Sequence, residues 1–201
     1  AFIIGKDFIG VDKVSLVLGD NIFFGHSMPE KLREAAKLEE GAVIFAYAVK
    51  DPERYGVVHF NENYKALGIE EKPKNPKSNY AVPGIYFYDN QVVKIAAELK
   101  PSARGELEIT DLNRVYLDKA QLNVKLLGRG VAWLDAGTHE ALLQASNFVE
   151  TVEQRQGMLI SCPEEIAYRM GFIDAQQLKV LAKELPYKDF GEYLLDLIDQ
   201  V

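Results

Sequence analysis

The sequence is poor in the residues that make covalent or soft-metal chemistry. It has one cysteine, Cys162, in 201 residues, so no internal disulfide can form, which suits a cytoplasmic place. Its three histidines, His26, His59 and His139, lie far apart, and none has a Cys or Ser partner at the spacing of a zinc site or a catalytic triad. No window approaches the roughly 18 unbroken apolar residues of a membrane span, and no cationic leader precedes an apolar core. Basic residues fall short of acidic ones, 23 against 30, for a net charge of −7. General attraction to nucleic acid is therefore not expected, and a phosphate-bearing ligand must be held by a few placed cations. Internal repeats, low-complexity tracts and Gly/Ser linkers are also missing. With 48% hydrophobic and 26% charged residues the composition excludes wholesale disorder and suits one sizeable domain with an appendage. The chain opens on Ala1 and runs directly into an apolar stretch to Gly5, which we read as a piece of something longer.

What is present reads as an α/β body followed by helices. Val14 to Leu18 is a continuous apolar run, the mark of a strand buried on both faces. It ends in Gly19-Asp20-Asn21. Ser27 then offers an N-cap to a helix over Met28 to Glu40, stopped by Gly41. A second apolar run, Ala42 to Val49, completes a strand–helix–strand unit and predicts a parallel sheet. Tyr55 to Phe60 and Ala66 to Glu71 flank Asn61-Glu62-Asn63 as a hairpin, and Lys72 to Lys77 is a Pro-rich surface loop. Ala81 to Tyr88 is apolar enough for the centre of the sheet. Helices over Gln91 to Leu99 and Ile109 to Lys119 precede short strands at Val124 to Leu127 and Val131 to Asp135. From Thr138 onward helical spacing takes over: Ala141, Leu142, Ala145, Phe148, Val149 and Val152 share a face, and Leu178 to Leu185 and Leu194 to Val201 repeat the pattern. The expected organisation is an α/β part over residues 1–138 and a helical subdomain over 139–201.

Two aspartates close apolar runs, Asp20 after Leu18-Gly19 and Asp135 after Val131-Ala132-Trp133-Leu134. Ligands of open α/β sheets bind outside the carboxyl ends of the strands, so both carboxylates are expected on one rim. Hard oxygen ligands there suit Mg²⁺, which takes one or two carboxylates beside substrate phosphates. Strand-end turn formers or helix caps are the plainer alternative. Glu70-Glu71-Lys72-Pro73 ends another strand, and alternation predicts Glu70 and Lys72 on one face with Glu71 on the other, unless the proline breaks the pleat. A carboxylate and an ammonium side by side suit a phosphorylated sugar, or a solvated strand end. Gly56 after Tyr55 either turns the chain or lets backbone approach a ligand. Arg104 can fork onto a phosphate or pair with Glu106, Glu108 or Asp111. Ser161-Cys162-Pro163 reads as a helix start with a structural thiol.

Taken together and in order, six strings are far more specific. They are Val17-Leu18-Gly19-Asp20-Asn21-Ile22, Asp51-Pro52 leading to Tyr55-Gly56-Val57-Val58, Glu70-Glu71-Lys72-Pro73, Tyr86-Phe87-Tyr88-Asp89, Arg104-Gly105-Glu106 through Glu108-Ile109-Thr110-Asp111, and Trp133 through Thr138. They resemble the sugar nucleotidyltransferases along essentially the whole chain. The helical tail, with Cys162 through Ala167 and Arg169, is similar to the subgroup that acts on glucose 1-phosphate with deoxythymidine triphosphate. The resemblance implies a Rossmann-like α/β fold of nucleotidyltransferase type, its sheet mixed and mainly parallel, with a helical C-terminal subdomain. It implies transfer of a thymidylyl group to glucose 1-phosphate, giving dTDP-glucose and pyrophosphate on the way to dTDP-rhamnose and surface polysaccharide. By the same resemblance Asp20 and Asp135 match Mg²⁺ ligands. Asn21, Tyr55, Gly56, Glu71 and Val82 match contacts to the glucosyl part, and Lys72 and Arg104 match cations near its phosphate. Gly25, His26, Arg129, Ser161, Glu165, Ile166 and Arg169 match a regulatory nucleotide site, although Glu165 and Arg169, four apart, are also placed for an intrahelical ion pair. A homotetramer is implied as well.

The chemistry fits the inventory. A phosphate monoester oxygen is already a competent nucleophile, so alignment and charge neutralisation suffice without a triad. One departure stands out: the family's glycine-rich G-x-G-T-R-L loop, which wraps the triphosphate, does not occur in these residues. Without its backbone donors the leaving pyrophosphate has little to hold it, so this chain is expected to be inactive alone and to expose apolar strand edges. A non-catalytic sugar-nucleotide sensor and a uridylyl- or cytidylyltransferase are the rival readings.

Overall fold

In the computed structural model, residues 1–102 and 105–199 are described, and the chain divides into the units Ala1–Ala141 and Leu142–Val201. The first unit contains α1 (Lys6–Ile9), β1 (Val14–Val17), β2 (Asn21–Phe24), α2 (Met28–Ala36), β3 (Ala42–Ala48), β4 (Gly56–Phe60), β5 (Ala66–Glu71), β6 (Tyr80–Ala81), β7 (Ile85–Tyr88), α3 (Gln91–Glu98), α4 (Ile109–Asp118), β8 (Leu122–Leu126) and β9 (Ala132–Asp135). The division falls within α5 (His139–Gln156), after which come α6 (Pro163–Arg169), α7 (Ala175–Glu184) and α8 (Lys188–Asp199).

β3 organises the first unit because its residues are apolar on both faces. Ala42, Ile44 and Ala46 join one core with Tyr86, Tyr88, Val92, Leu112 and Tyr116. Val43 and Phe45 point the other way, into a core with Met28, Ala35 and Leu127, as the two-residue period requires. Helices α3 and α4 thus supply one covering layer and α2 the other, the arrangement that allows a strand to be buried on both sides.

The sheet is mixed. β3 pairs parallel with β8 and antiparallel with β7, and β7 pairs antiparallel with β1. β1, β3 and β8 therefore run the same way, and β7 alone is reversed among these four. The expected strand–helix–strand unit from β1 through α2 to β3 keeps its parallel sense, but β7 lies between the two strands. Among the described strands β1 pairs only with β7, and it alternates half-buried with exposed residues, so the reading of a strand buried on both faces is corrected. Apolarity there signals an edge strand with Val17 exposed. Ile4, Phe8 and Val11 are exposed as well.

The hairpin β4–β5 forms as expected. The predicted strand Ala81 to Tyr88 is broken into β6 and β7 at Val82-Pro83-Gly84, where proline removes a ladder donor. The predicted helix to Glu40 stops at Ala36, and Ser27, although in the N-cap position, makes no side-chain capping bond. β2 forms where the sequence pattern assigns no element.

The described elements of the second unit are all helices, with Cys162, Leu178, Ala182, Leu194 and Leu197 in its core. A capping box starts α7, with Asp174 accepting from the Gln177 amide and the Gln177 side chain accepting from the Asp174 N–H. Gly191 lets α8 approach α7, since a Cβ there would stand 2.5 Å from the Ala182 carbonyl oxygen.

Candidate functional site

A cleft of about 200 Å³ opens in the first unit, walled by the loop after β1, the loop before β4, the end of β5, the break between β6 and β7, the first turns of α4 and the end of β9. Its lining includes Asp20, Asn21, Tyr55, Gly56, Glu71, Lys72, Val82 and Asp135. These eight residues come from five separate segments of sequence, and only folding brings them together.

The two aspartates meet by a route different from the expected one. They do not end neighbouring parallel strands; β2 and β9 form a separate antiparallel pair in which Asn21 faces Asp135. The Ala136 N–H donates to the Asp20 carbonyl at 2.7 Å, closing the ladder one step further. Asp20 Oδ2 and Asp135 Oδ1 then lie 3.6 Å and 3.1 Å from the position a Cβ on Gly137 would occupy. A side chain at residue 137 would fill the space between the two carboxylates, so glycine keeps it open. Asp135 Oδ1 accepts from the Gly137 N–H at 3.1 Å.

Asn21 is a brace. Its Oδ1 accepts from the Gly84 N–H at 2.9 Å and from the Trp133 indole at 2.8 Å, while its Nδ2 donates to Asp20 Oδ1 at 2.7 Å. One amide thus ties the break before β7 to β9 and orients an aspartate. Gly84 is required for it, because a Cβ there would come within 2.8 Å of the amide nitrogen.

Glu71 and Lys72 both line the cleft, which corrects the alternation expected of them. Lys72 leaves β5 in the left-handed region, at φ +41, and this turn brings it beside Glu71 instead of opposite. Its N–H donates to the Tyr55 carbonyl at 3.0 Å. Strain of this kind persists where the surroundings over-determine it and clusters at ligand sites. Glu70 turns away to pair with Lys77 at 3.2 Å. Glu71 Oε2 accepts from the Thr110 hydroxyl at 2.5 Å, so the second residue of α4 holds the carboxylate. The Val82 N–H donates to the Gly56 carbonyl at 2.8 Å, seating Val82 against Gly56.

Reading residues singly misses other lining side chains, among them Arg54, Tyr86, Thr110, Asn113 and Trp133. Trp133 has a sequence signal, since it stands two residues before Asp135 and shares its strand face. Thr110 and Asn113 are three apart on a helix. Trp133 packs at 5.0 Å on Tyr55, and Arg54 stacks over Tyr55 at 5.4 Å while its Nη1 donates to Asp51 at 2.7 Å. That hydrogen bond and the charges of Asp51 and Asp135 hold the guanidinium firmly protonated. Burial foremost, then the charges of Glu71 and Asp20, pushes the Tyr86 phenol far above its ordinary range. It is therefore a neutral donor at any working pH.

Arg104 lies outside the described residues. The other seven positions fall in different units. Gly25, His26 and Arg129 belong to the first, where Gly25 allows the chain after β2 to pass the chain before β9; a Cβ on it would be 2.7 Å from the Gly130 carbonyl. Arg129 is exposed between two glycines of positive φ. Ser161, Glu165, Ile166 and Arg169 belong to the second. There Arg169 Nε donates to Glu165 Oε1 at 2.6 Å, the intrahelical pair that the spacing allows, and the Tyr193 hydroxyl donates to Glu165 Oε2 at 2.5 Å. Cys162 is buried at the N-cap of α6 with its thiol pushed up mainly by burial, an inert and structural group.

The donor set decides which cation suits the cleft. Among the described residues no three of His, Cys, Asp and Glu gather as a metal cluster, and the convergent pair is all oxygen. That fits a hard ion completing its shell with water and phosphate, and does not fit zinc.

The nucleotidyl transferase family matches residues 1–152. The glucose-1-phosphate thymidylyltransferase of Neisseria meningitidis serogroup A is 57% identical over 198 residues, covering 98% of this chain and 69% of that protein. The protein of the same name from Mycolicibacterium smegmatis is 56% identical over 200 residues, covering 100% and 69%. Among solved structures, a Bacillus anthracis chain described as a candidate glucose-1-phosphate thymidylyltransferase in complex with a sucrose aligns with a TM-score of 0.64 at 46% identity, over 72% of this chain and 57% of that one. A UDP-glucose pyrophosphorylase complexed with UDP-glucose shares the fold, with a TM-score of 0.65 at 24% identity over 74% and 60%.

Proposed function

The chain belongs to the nucleotidyl transferase family, and from that membership we propose that its cleft binds glucose 1-phosphate for thymidylyl transfer from deoxythymidine triphosphate. The observation that carries the proposal is the convergence of Asp20, Asp135, Glu71 and Lys72 on one cleft from distant parts of the chain. In the reaction an oxygen of the sugar phosphate attacks the α-phosphorus of the triphosphate, the new P–O bond forms, and pyrophosphate leaves in line. Glu71, steadied by Thr110, accepts from sugar hydroxyls. Lys72, displaced into the cleft by its backbone, places a point charge near the sugar phosphate, with Arg104 proposed beside it. Asn21, Tyr55, Gly56 and Val82 shape the sugar pocket, and Trp133 backs Tyr55. Asp20 and Asp135 would hold Mg²⁺, which when bound neutralises charge on the transferring phosphoryl group. The protein's share is positioning and electrostatics, which is most of what phosphoryl-type transfer asks of it.

Gly25, His26, Arg129, Ser161, Glu165, Ile166 and Arg169 are proposed as contacts of a regulatory nucleotide, supported by the resemblance alone. A homo-oligomeric assembly and a cytoplasmic place rest on the same support. No described helix is long and apolar enough to cross a membrane.

Calorimetry with glucose 1-phosphate and dTDP-glucose, alongside pyrophosphate release with dTTP, UTP and CTP, tests this reading. Sugar-phosphate binding is expected of this chain. Turnover is expected where a triphosphate-wrapping loop is also supplied, with dTTP preferred. Failure to bind either sugar ligand overturns the proposal. Tight dTDP-glucose binding without turnover, even with such a loop supplied, would favour the non-catalytic sensor.

A further inference from the structure

Asn113 carries an assignment beyond the residues named so far, one that rests on the reading of the cleft as a hexose phosphate site. It stands in the second turn of α4, three residues after Thr110, and lines the same cleft. Only 1% of its surface is exposed. Its Oδ1 accepts from the Tyr88 hydroxyl at 2.7 Å, and its Nδ2 has no partner among the described residues.

Two physical costs attach to this residue. Asparagine is a poor helix-interior residue because its amide competes for backbone hydrogen bonds. A buried amide donor left unpaired forfeits its hydration without return, and such groups in folded proteins call for a partner. Leucine, of similar shape, would avoid both costs, although it would take the acceptor from the buried Tyr88 hydroxyl.

The amide also cannot easily turn to find another partner. Tyr88 is fully buried, with its ring stacked 6.1 Å from Tyr86 and 5.6 Å from Tyr116. The Tyr116 hydroxyl is in turn tied to buried Asp89 at 2.8 Å, and Asp89 accepts the Gly41 N–H at 2.7 Å. This column of tyrosines clamps the Tyr88 hydroxyl, and that hydroxyl claims the oxygen end of the Asn113 amide. The nitrogen end is the one left for a ligand. Glu71, a carboxylate acceptor held through Thr110, lines the same cleft. A fixed acceptor and a fixed donor in one cleft suit a hydroxyl group, which both gives and takes a hydrogen bond.

We propose that Asn113 is a specificity-determining residue that donates its side-chain N–H to a hydroxyl oxygen of the bound hexose. A sugar lacking that hydroxyl leaves a buried donor unpaired and is rejected for that reason.

The test couples protein and sugar changes. Affinities of glucose 1-phosphate and of its 2-, 3-, 4- and 6-deoxy forms are measured by ligand-observed NMR for the full chain, for Asn113→Leu and for Asn113→Asp, which keeps an acceptor for Tyr88 but has no donor. One deoxy sugar is expected to bind the unsubstituted chain on the order of tenfold more weakly than glucose 1-phosphate. The same sugar should bind the variants as well as glucose 1-phosphate does. Equal responses of chain and variants to every deoxy sugar overturn the assignment, and mean that Nδ2 meets only water. If the variants fail to fold, the Asn113 side-chain ¹⁵N resonance of the unsubstituted chain decides. It should move on saturation with glucose 1-phosphate, and a fixed resonance while the Gly56 amide moves overturns the contact. Failure of the unsubstituted chain to bind any hexose 1-phosphate removes the cleft reading itself, and this contact with it.

Discussion

The cleft of the first unit and the buried carboxylate of the second treat their polar groups in opposite ways. In Leu142–Val201 the buried carboxylate of Glu165 is answered from within, by the Tyr193 hydroxyl and the Arg169 guanidinium. In Ala1–Ala141 the cleft holds two aspartates side by side, a lysine in a left-handed turn and an amide nitrogen without a partner among the described residues. Polar groups that satisfy one another stabilise a unit, whereas polar groups fixed in place and left open prepare it for a ligand. The contrast supports placing the transfer chemistry in the first unit.

The hardest blow to that contrast comes from Asp135→Asn. Thymidylyl transfer, in a polypeptide that turns over, should fall roughly 10²–10³-fold, the scale of about 2.7–4 kcal/mol seen when an electrostatic stabiliser is removed. An unchanged rate at saturating Mg²⁺ would refute the role given to the pair. Leu178→Ala, in the core of the second unit where Leu178 is fully buried, should cost about 3 kcal/mol of that unit's stability in denaturant. Glucose 1-phosphate affinity should stay the same in the folded protein, and a parallel loss of affinity would erase the division between the units. Glu71→Gln should weaken glucose 1-phosphate by roughly tenfold and Thr110→Val by about threefold, because the second change only loosens the first residue's carboxylate. Equal affinities across all three proteins would show that the Thr110–Glu71 bond serves the fold and not the ligand.

The smallest effect is a dependence on pH in the second unit. The Tyr193 hydroxyl is pushed up to about 12, first by burial and then by its hydrogen bond to Glu165, against about 10 in an unfolded chain. The folded unit therefore holds this proton more tightly. Its contribution is complete below about pH 10 and is lost as the pH climbs from about 10 to 12. Tyr193→Phe should flatten the fall of stability in that window, and an unaltered slope would mean that the Glu165 cluster is not what it is taken to be.

Much of this was legible before folding, for physical reasons that differ by residue. Ala42 to Val49 announces a strand because it is an unbroken apolar run, and β3 forms there with residues buried toward both faces. The helical character after Thr138 follows from spacing alone. Asp20 and Asp135 stand out as strand-end carboxylates, yet their meeting depends on β2 and β9, and β2 is four residues to which the sequence pattern assigns no element. Lys72 misleads because a period-two pattern has no symbol for a left-handed residue. Val14–Val17 misleads because apolarity does not reveal how many neighbours a strand has. Asn113 is the least visible of all. A single asparagine in a helix usually faces solvent, and only the tyrosine column behind it shows that this one does not.

The most direct measurement is the crystal structure of this chain with dTDP-glucose and Mn²⁺, read by the anomalous signal of the metal. The account predicts a peak bound by the carboxylates of Asp20 and Asp135 and a glucosyl ring against Glu71, with Asn113 Nδ2 on one of its hydroxyls. A sugar nucleotide seated elsewhere, or a metal that ignores both aspartates, would contradict it.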